Sequence, residues 1–144
     1  MSEKREVVAE WKGDLAFIGR NPAGGSVQIG ALNGQPGIGP MELLLLGVAG
    51  CTGMDIVSIL QKKRLTLQGF QVKVSGERAE TYPMVYTEIH VTYLLWGENL
   101  PPKAVEQAIQ LSEEKYCSAS AMMRSTAKMS SSYRILAPGE PAGD

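Results

Sequence analysis

The sequence is poor in the residues that most metal and hydrolase chemistry requires. It contains one histidine, His90, and two cysteines, Cys51 and Cys117, in 144 residues. A lone histidine leaves little material for a histidine-rich metal site or a Ser-His-Asp arrangement. The two cysteines lie far apart in the chain and match neither a zinc motif nor a CxxC redox pair. Charge of one sign is scarce too. A net charge of −1 and a pI near 5.9 give no basic field for phosphate backbones or anionic lipid, which argues against a nucleic-acid partner. The longest apolar run, Leu43 to Leu46, is too short to cross a bilayer, and Met1-Ser2-Glu3-Lys4-Arg5-Glu6 lacks the apolar stretch of a secretory signal. A cytoplasmic protein is therefore expected, in a compartment where thiols stay reduced and a permanent structural disulfide is disfavoured.

What is present suits one folded domain over residues 1–144: 44% of residues are hydrophobic and 20% charged, well away from disordered compositions. The first third (5–31) reads as short strands, Val7 to Lys12, Leu15 to Gly19 and Ser26 to Gly30, joined by glycine turns as an antiparallel meander. Turn formers from Asn33 to Pro40 then force a change of element, and Pro40 suits the first turn of a helix over 40–64. That helix is apolar on nearly every side, with Leu43 to Leu46, Val48, Met54, Ile56, Val57, Ile59 and Leu60, and such a helix is normally buried all round. Complete burial is easier in a small chain if a second copy covers one side, which predicts an obligate homodimer.

Strands are expected over 69–97, as Phe70 to Val74 and Val85 to Trp96, with Glu77, Arg78, Glu80 and Pro83 in the loop between them. A helix over 101–116, a short helical piece around Ser118 to Met123, a final strand over 128–136 and a frayed tail from Ala137 to Asp144 complete the chain.

Cys51 lies inside the apolar helix among Gly47, Gly50 and Gly53. Glycine within a helix costs roughly 1 kcal/mol relative to alanine, so three so close together call for a reason, and one reason is close approach of another backbone or a substrate to the sulfur. Alone, Cys51 reads more readily as a small buried apolar residue, the usual fate of a free cysteine. A useful nucleophilic thiol must ionise, and burial opposes ionisation unless a cation or a hydrogen-bond donor compensates. Glu42 is half a turn out of phase with Cys51 and about 13 to 14 Å away along an ideal axis, so it could act only by holding an arginine between them. By itself Glu42 reads as a first-turn carboxylate stabilised by the helix dipole. Cys117 falls at the end of the second helix, where a sulfur has the freedom that disulfide formation demands.

Three segments together are more specific than any residue alone. Gly39-Pro40-Met41-Glu42-Leu43-Leu44-Leu45, then Gly50-Cys51-Thr52 running into Asp55-Ile56-Val57-Ser58-Ile59-Leu60, then Leu111-Ser112-Glu113-Glu114-Lys115-Tyr116-Cys117-Ser118 resemble the signature of the OsmC/Ohr family of thiol-dependent peroxidases, nearest its YhfA-like branch. The resemblance implies an α+β fold with curved antiparallel sheets packed on a long central helix and two intertwined subunits. It also implies that Cys51 attacks a hydroperoxide, that Cys117 resolves the sulfenate as a disulfide, and that a lipoyl-type or small-molecule dithiol reduces the pair. Glu42 matches the glutamate that positions an activating arginine, for which Arg20 and Arg78 are the candidates, and the resemblance implies no metal and no organic cofactor. Thr52 and Gly50 depart from the aromatic and the alanine usual beside the first cysteine, so the substrate pocket should differ. The alternative is a non-catalytic or redox-sensing protein that binds a small apolar ligand in the same dimer pocket.

Overall fold

A computed structural model describes residues 3–143; Met1 and Ser2 of the expected polar N-terminus, and Asp144 of the expected frayed tail, lie outside the described residues. Backbone contacts separate the chain into one unit up to Leu44 and another from Leu45, a boundary that falls inside the long helix.

In the first unit β1 (Val8–Gly13), β2 (Ala16–Arg20) and β3 (Ser26–Ile29) form the expected antiparallel meander in the order β1-β2-β3. The chain then doubles back beside β3, with Ile38 donating to Gln28 O at 3.0 Å and Gly30 donating to Ile38 O at 3.2 Å. Glycine is required for that return: a Cβ on Gly37 would stand 2.1 Å from the Gly30 carbonyl oxygen.

Helix α1 (Pro40–Lys62) opens with Pro40 in its first turn, where the missing N–H costs nothing. The Glu42 carboxylate reaches back to accept from Gly39 N at 2.7 Å, the acidic half of a capping box. The helix stops two residues earlier than expected, where Arg64 turns left-handed (φ 60) and Leu65 N bonds back to Leu60 O at 3.0 Å. Burial within a single chain is one-sided; burial all round was expected with a second copy over the other side. Val48, Thr52, Ile56 and Leu60 form a buried stripe of i, i+4 spacing, whereas Leu46 and Met54 are 52% and 76% exposed. With a mean hydropathy of 2.0, α1 is long and apolar enough to cross a bilayer, as are the core helices of many soluble proteins. Counting only the run Leu43 to Leu46 missed this, because the glycines and Thr52 interrupt the run without adding charge.

The second unit carries β4 (Gly69–Arg78), β5 (Tyr86–Trp96) and β6 (Lys128–Leu136) in that order. Strand β4 extends past its expected end, so Glu77 and Arg78 belong to the strand and not to the loop. The sheet is mixed where antiparallel pairing was expected. β6 pairs with β5 in parallel because α2 (Pro102–Leu111) and α3 (Ser118–Met123) carry the chain back to the start of β5. The core face of β5 carries Ile89, Val91, Tyr93 and Leu95, the alternation read from sequence. Tyr86 breaks that alternation and is buried too. The register slips between Glu77 and Arg78, leaving Thr87 as the extra residue of a bulge and turning Tyr86 inward.

Helix α2 buries Val105, Ala108 and Ile109 at helical spacing. The tail is tied down, not frayed. Trp96 Nε1 donates to Glu140 O at 2.6 Å, and Glu140 Oε1 accepts from Ala137 N at 3.0 Å.

The inward ring of Tyr86 sits over Gly76, where a Cβ would meet Tyr86 Cδ1 at 2.7 Å. Gly76→Ala should therefore destabilise the protein by about 1–3 kcal/mol through overpacking, measurable as a lower urea midpoint; an unchanged midpoint would refute this packing.

Candidate thiol site

The second unit brings the two cysteines together. Cys51 is half-buried on α1, and Cys117 is 3% exposed at the end of a π turn, Ser112–Tyr116, that follows α2. The second helix therefore does not run unbroken to residue 116 as expected. Cys117 N bonds to Ser112 O at 2.7 Å, an i to i−5 closure, and Cys117 itself is extended (φ −77, ψ 100). One residue more per turn swings Cys117 out of the helical path and starts α3 behind it, a local feature that often marks functional sites.

Two polar links join this turn to its surroundings. Asp55 lies one turn after Cys51 on the same side of α1, and its Oδ2 accepts from Ser112 Oγ at 2.8 Å. Tyr93, fully buried on β5, donates its phenol hydrogen to Glu113 Oε2 at 2.7 Å, while Ser131 Oγ donates to Glu113 Oε1 at 3.2 Å. Arg124 Nη1 donates to Glu113 O at 2.9 Å. The Thr52 hydroxyl, which donates to Val48 O at 3.0 Å, lies within hydrogen-bonding reach of the same phenol. The residue after Cys51 and the residue four before Cys117 thus meet at one buried tyrosine.

The electrostatics follow from burial. Tyr93 is pushed above the ordinary phenol range, first by desolvation and then by the Glu113 carboxylate that its proton bridges. Cys117 is raised as well. Burial is the main cause, opposed by donation from the Ser120 hydroxyl, which lies 3.1 Å from its sulfur, and reinforced by the Cys51 thiol within hydrogen-bonding reach. Burial thus favours the protonated form of the inner thiol.

The other expected site residues have different partners. Glu42 caps the start of α1, and no ion pair of Glu42 occurs among the described residues. Arg20, on β2, stands 3.8 Å from Glu10, and Arg78 Nε donates to Met84 O at 2.8 Å across the β4–β5 loop. Among the described residues no group of three or more His, Cys, Asp or Glu is arranged to hold a metal ion. Sequence reasoning missed Asp55, Tyr93, Glu113 and Ser120. Asp55 was within reach, since i+4 from Cys51 places it on the same helix face. Tyr93 was read only as a strand residue, because nothing local says which phenol will meet a carboxylate twenty residues on.

Two cavities are lined by sequence neighbours of the cysteines, though by neither cysteine itself. An open apolar groove of about 460 Å³ is lined by Gly50, Gly53, Met54, Val57, Phe70 and Val72, and a cleft of about 140 Å³ reaches Glu113, Ser120 and Arg124. The helix glycines are not explained by close packing within the chain. Gly47 and Gly50 face open space, and a Cβ on Gly53 would make an ordinary 3.5 Å contact with Val72.

Tyr93 and Cys117 hold their protons more tightly folded than unfolded, so stability should be full below their ordinary values of 10.0 and 9.0 and should fall as pH rises past them. Urea unfolding between about pH 8 and pH 11 should show this loss, and Tyr93→Phe should flatten its upper part while costing about 1–3 kcal/mol at neutral pH. Stability that rises with alkali would contradict the assignment.

Comparison with known proteins agrees with this architecture. Residues 32–132 match the family model described as OsmC-like protein. Protein YhfA of Escherichia coli strain K12 is 34% identical over 128 residues, covering 89% of this chain and 96% of YhfA. Among solved structures, a hypothetical protein from Aquifex aeolicus VF5 superposes with a TM-score of 0.85 at 34% identity, covering 94% of this chain and 98% of that one. The organic hydroperoxide resistance protein OhrB of Bacillus subtilis shares the fold, with a TM-score of 0.62 at 20% identity over 92% of this chain and 98% of its own. A family model spanning most of the chain, joined to a relative matched over nearly its whole length, places this chain in the OsmC-like protein family.

Proposed function

We propose that the protein is a thiol-dependent peroxidase that reduces organic hydroperoxides, or hydrogen peroxide, through Cys51 and Cys117. The observation that carries this reading is the pairing of a half-buried thiol with a buried, proton-retaining one inside a fold that includes hydroperoxide resistance proteins. Cys51, as thiolate, attacks the outer peroxide oxygen; the O–O bond breaks, Cys51 becomes a sulfenic acid, and the alkoxide leaves to be protonated as alcohol. Cys117 then attacks the sulfenic sulfur, its proton joining the departing hydroxide as water, and the Cys51–Cys117 disulfide forms. A dithiol, lipoyl-type or small-molecule, returns both sulfurs to thiols by exchange.

Under this reading Glu42 and one of Arg20 or Arg78 serve Cys51 from outside the hydrogen-bonded cluster, and the protein works as a soluble cytoplasmic homodimer. Support for the dimer comes from the exposed Leu46 and Met54 and from the open space over Gly47 and Gly50, an apolar strip that water would otherwise cover. The competing reading, a slow redox sensor that holds a small apolar ligand, draws on the groove between Gly50 and Val72.

Cys51→Ser should abolish dithiol-dependent consumption of cumene hydroperoxide, and Cys117→Ser should let Cys51 proceed to sulfinic acid, visible by intact mass. Unchanged turnover in the Cys51 variant would end the peroxidase reading. Sedimentation should give a dimer, and Gly50→Leu, filling the apolar strip, should shift it toward monomer; a wild-type monomer would remove the dimer.

A further inference from the structure

One residue serves the Cys117 sulfur twice. Ser120, itself only 1% exposed, directs its Oγ hydrogen to Cys117 Sγ at 3.1 Å and its backbone N–H to the same atom at 3.3 Å. Two donors do little for a neutral thiol, because sulfur is a weak acceptor. They matter far more when that sulfur is charged, since bonds to an ionised acceptor are roughly twice as strong.

In the proposed cycle Cys117 carries charge twice, as it attacks the sulfenic sulfur and again as it departs from the disulfide. When an external thiolate attacks the Cys51–Cys117 disulfide, one sulfur is struck and the other departs as thiolate, faster the better its charge is stabilised. Exposure decides which is struck. Cys117 is sealed at 3% exposure, whereas Cys51 is half-buried and can be approached. Attack on Cys51 makes Cys117 the leaving group, at the atom on which both Ser120 donors converge.

Building on the peroxidase reading, we infer that Ser120 is a catalytic residue of the reductive half-reaction, holding the negative charge that develops on Cys117 as a dithiol attacks Cys51. The first thiolate of the dithiol gives an electron pair to Cys51 Sγ, the S–S bond breaks, and Cys117 departs with the bonding pair and then takes a proton from water. The second thiolate of the dithiol attacks the external sulfur of the mixed disulfide, closing a cyclic disulfide and releasing Cys51 as thiolate. Two electrons pass from the dithiol to the protein. The opposition of Ser120 to the effect of burial on Cys117 agrees with this role.

The test begins from protein oxidised with diamide, so that it does not depend on peroxide. Reduction of that disulfide by dithiothreitol should be roughly ten-fold slower in Ser120→Ala, the size expected for one lost bond to a charged sulfur, and the slowing should exceed any change in oxidation by peroxide. In the wild type, brief exposure to 2-mercaptoethanol followed by alkylation and peptide mapping should find the adduct on Cys51 and the alkyl group on Cys117. An undiminished reduction rate in the variant, or an adduct on Cys117, would overturn the role of Ser120; the adduct experiment needs no variant to fold. A disulfide with the expected Ser120 dependence in a protein inert to peroxide would uphold this role and sink only the peroxidase reading. Failure of diamide to form the disulfide would overturn both.

Discussion

A phenol with no access to water must find an acceptor inside the protein, and Tyr93 finds Glu113. That one requirement organises the thiol site. Glu113 belongs to the π turn, so holding its carboxylate against β5 fixes the turn, and the turn delivers Cys117. The same phenol lies within reach of Thr52, the neighbour of Cys51, and Asp55 anchors Ser112 at the start of the turn. Two cysteines far apart in the chain are thereby registered through side chains that are not themselves thiols. Apolar packing alone would not set that register, because a helix turn can slide along a greasy surface at little cost, whereas a buried hydrogen bond left unmade costs about 1–3 kcal/mol.

The two sulfurs are unequal by construction. Cys51 is half-buried on α1, three residues before the exposed Met54. Cys117 is enclosed, its thiol form favoured by burial, with the Ser120 hydroxyl 3.1 Å from its sulfur. A two-thiol peroxidase needs this division: one sulfur for the substrate to find, and one protected from it. Unlike a metal centre, such a site requires no ligand geometry, and it leaves a fainter trace in the sequence than a histidine cluster would.

Much of this was legible beforehand, for identifiable reasons. Strand alternation from Ile89 to Leu95, the glycine turns of the meander and the Pro40 start of α1 are local signals, and the elements follow them closely. The pairing of Cys51 with Cys117 came from motif resemblance, since nothing in the spacing fixes it. What stayed hidden was non-local. The parallel pairing of β6 depends on where two helices return the chain, and the burial of Tyr86 depends on a one-residue bulge opposite Arg78. The π turn could not be told from a continued helix, because Ser112 to Tyr116 suits either. What lies over the exposed side of α1 was not legible for a different reason. Composition reports how apolar a helix is, but not what covers it.

The central claim is that Cys51 meets a hydroperoxide first and Cys117 closes the bond. Mixing reduced wild-type protein with one equivalent of cumene hydroperoxide in a stopped-flow instrument, with peptide mapping of the product, tests it most directly. The expected result is a reaction far faster than that of free cysteine, ending in an intramolecular Cys51–Cys117 disulfide. A rate equal to that of free cysteine, or a product without that cross-link, would contradict it.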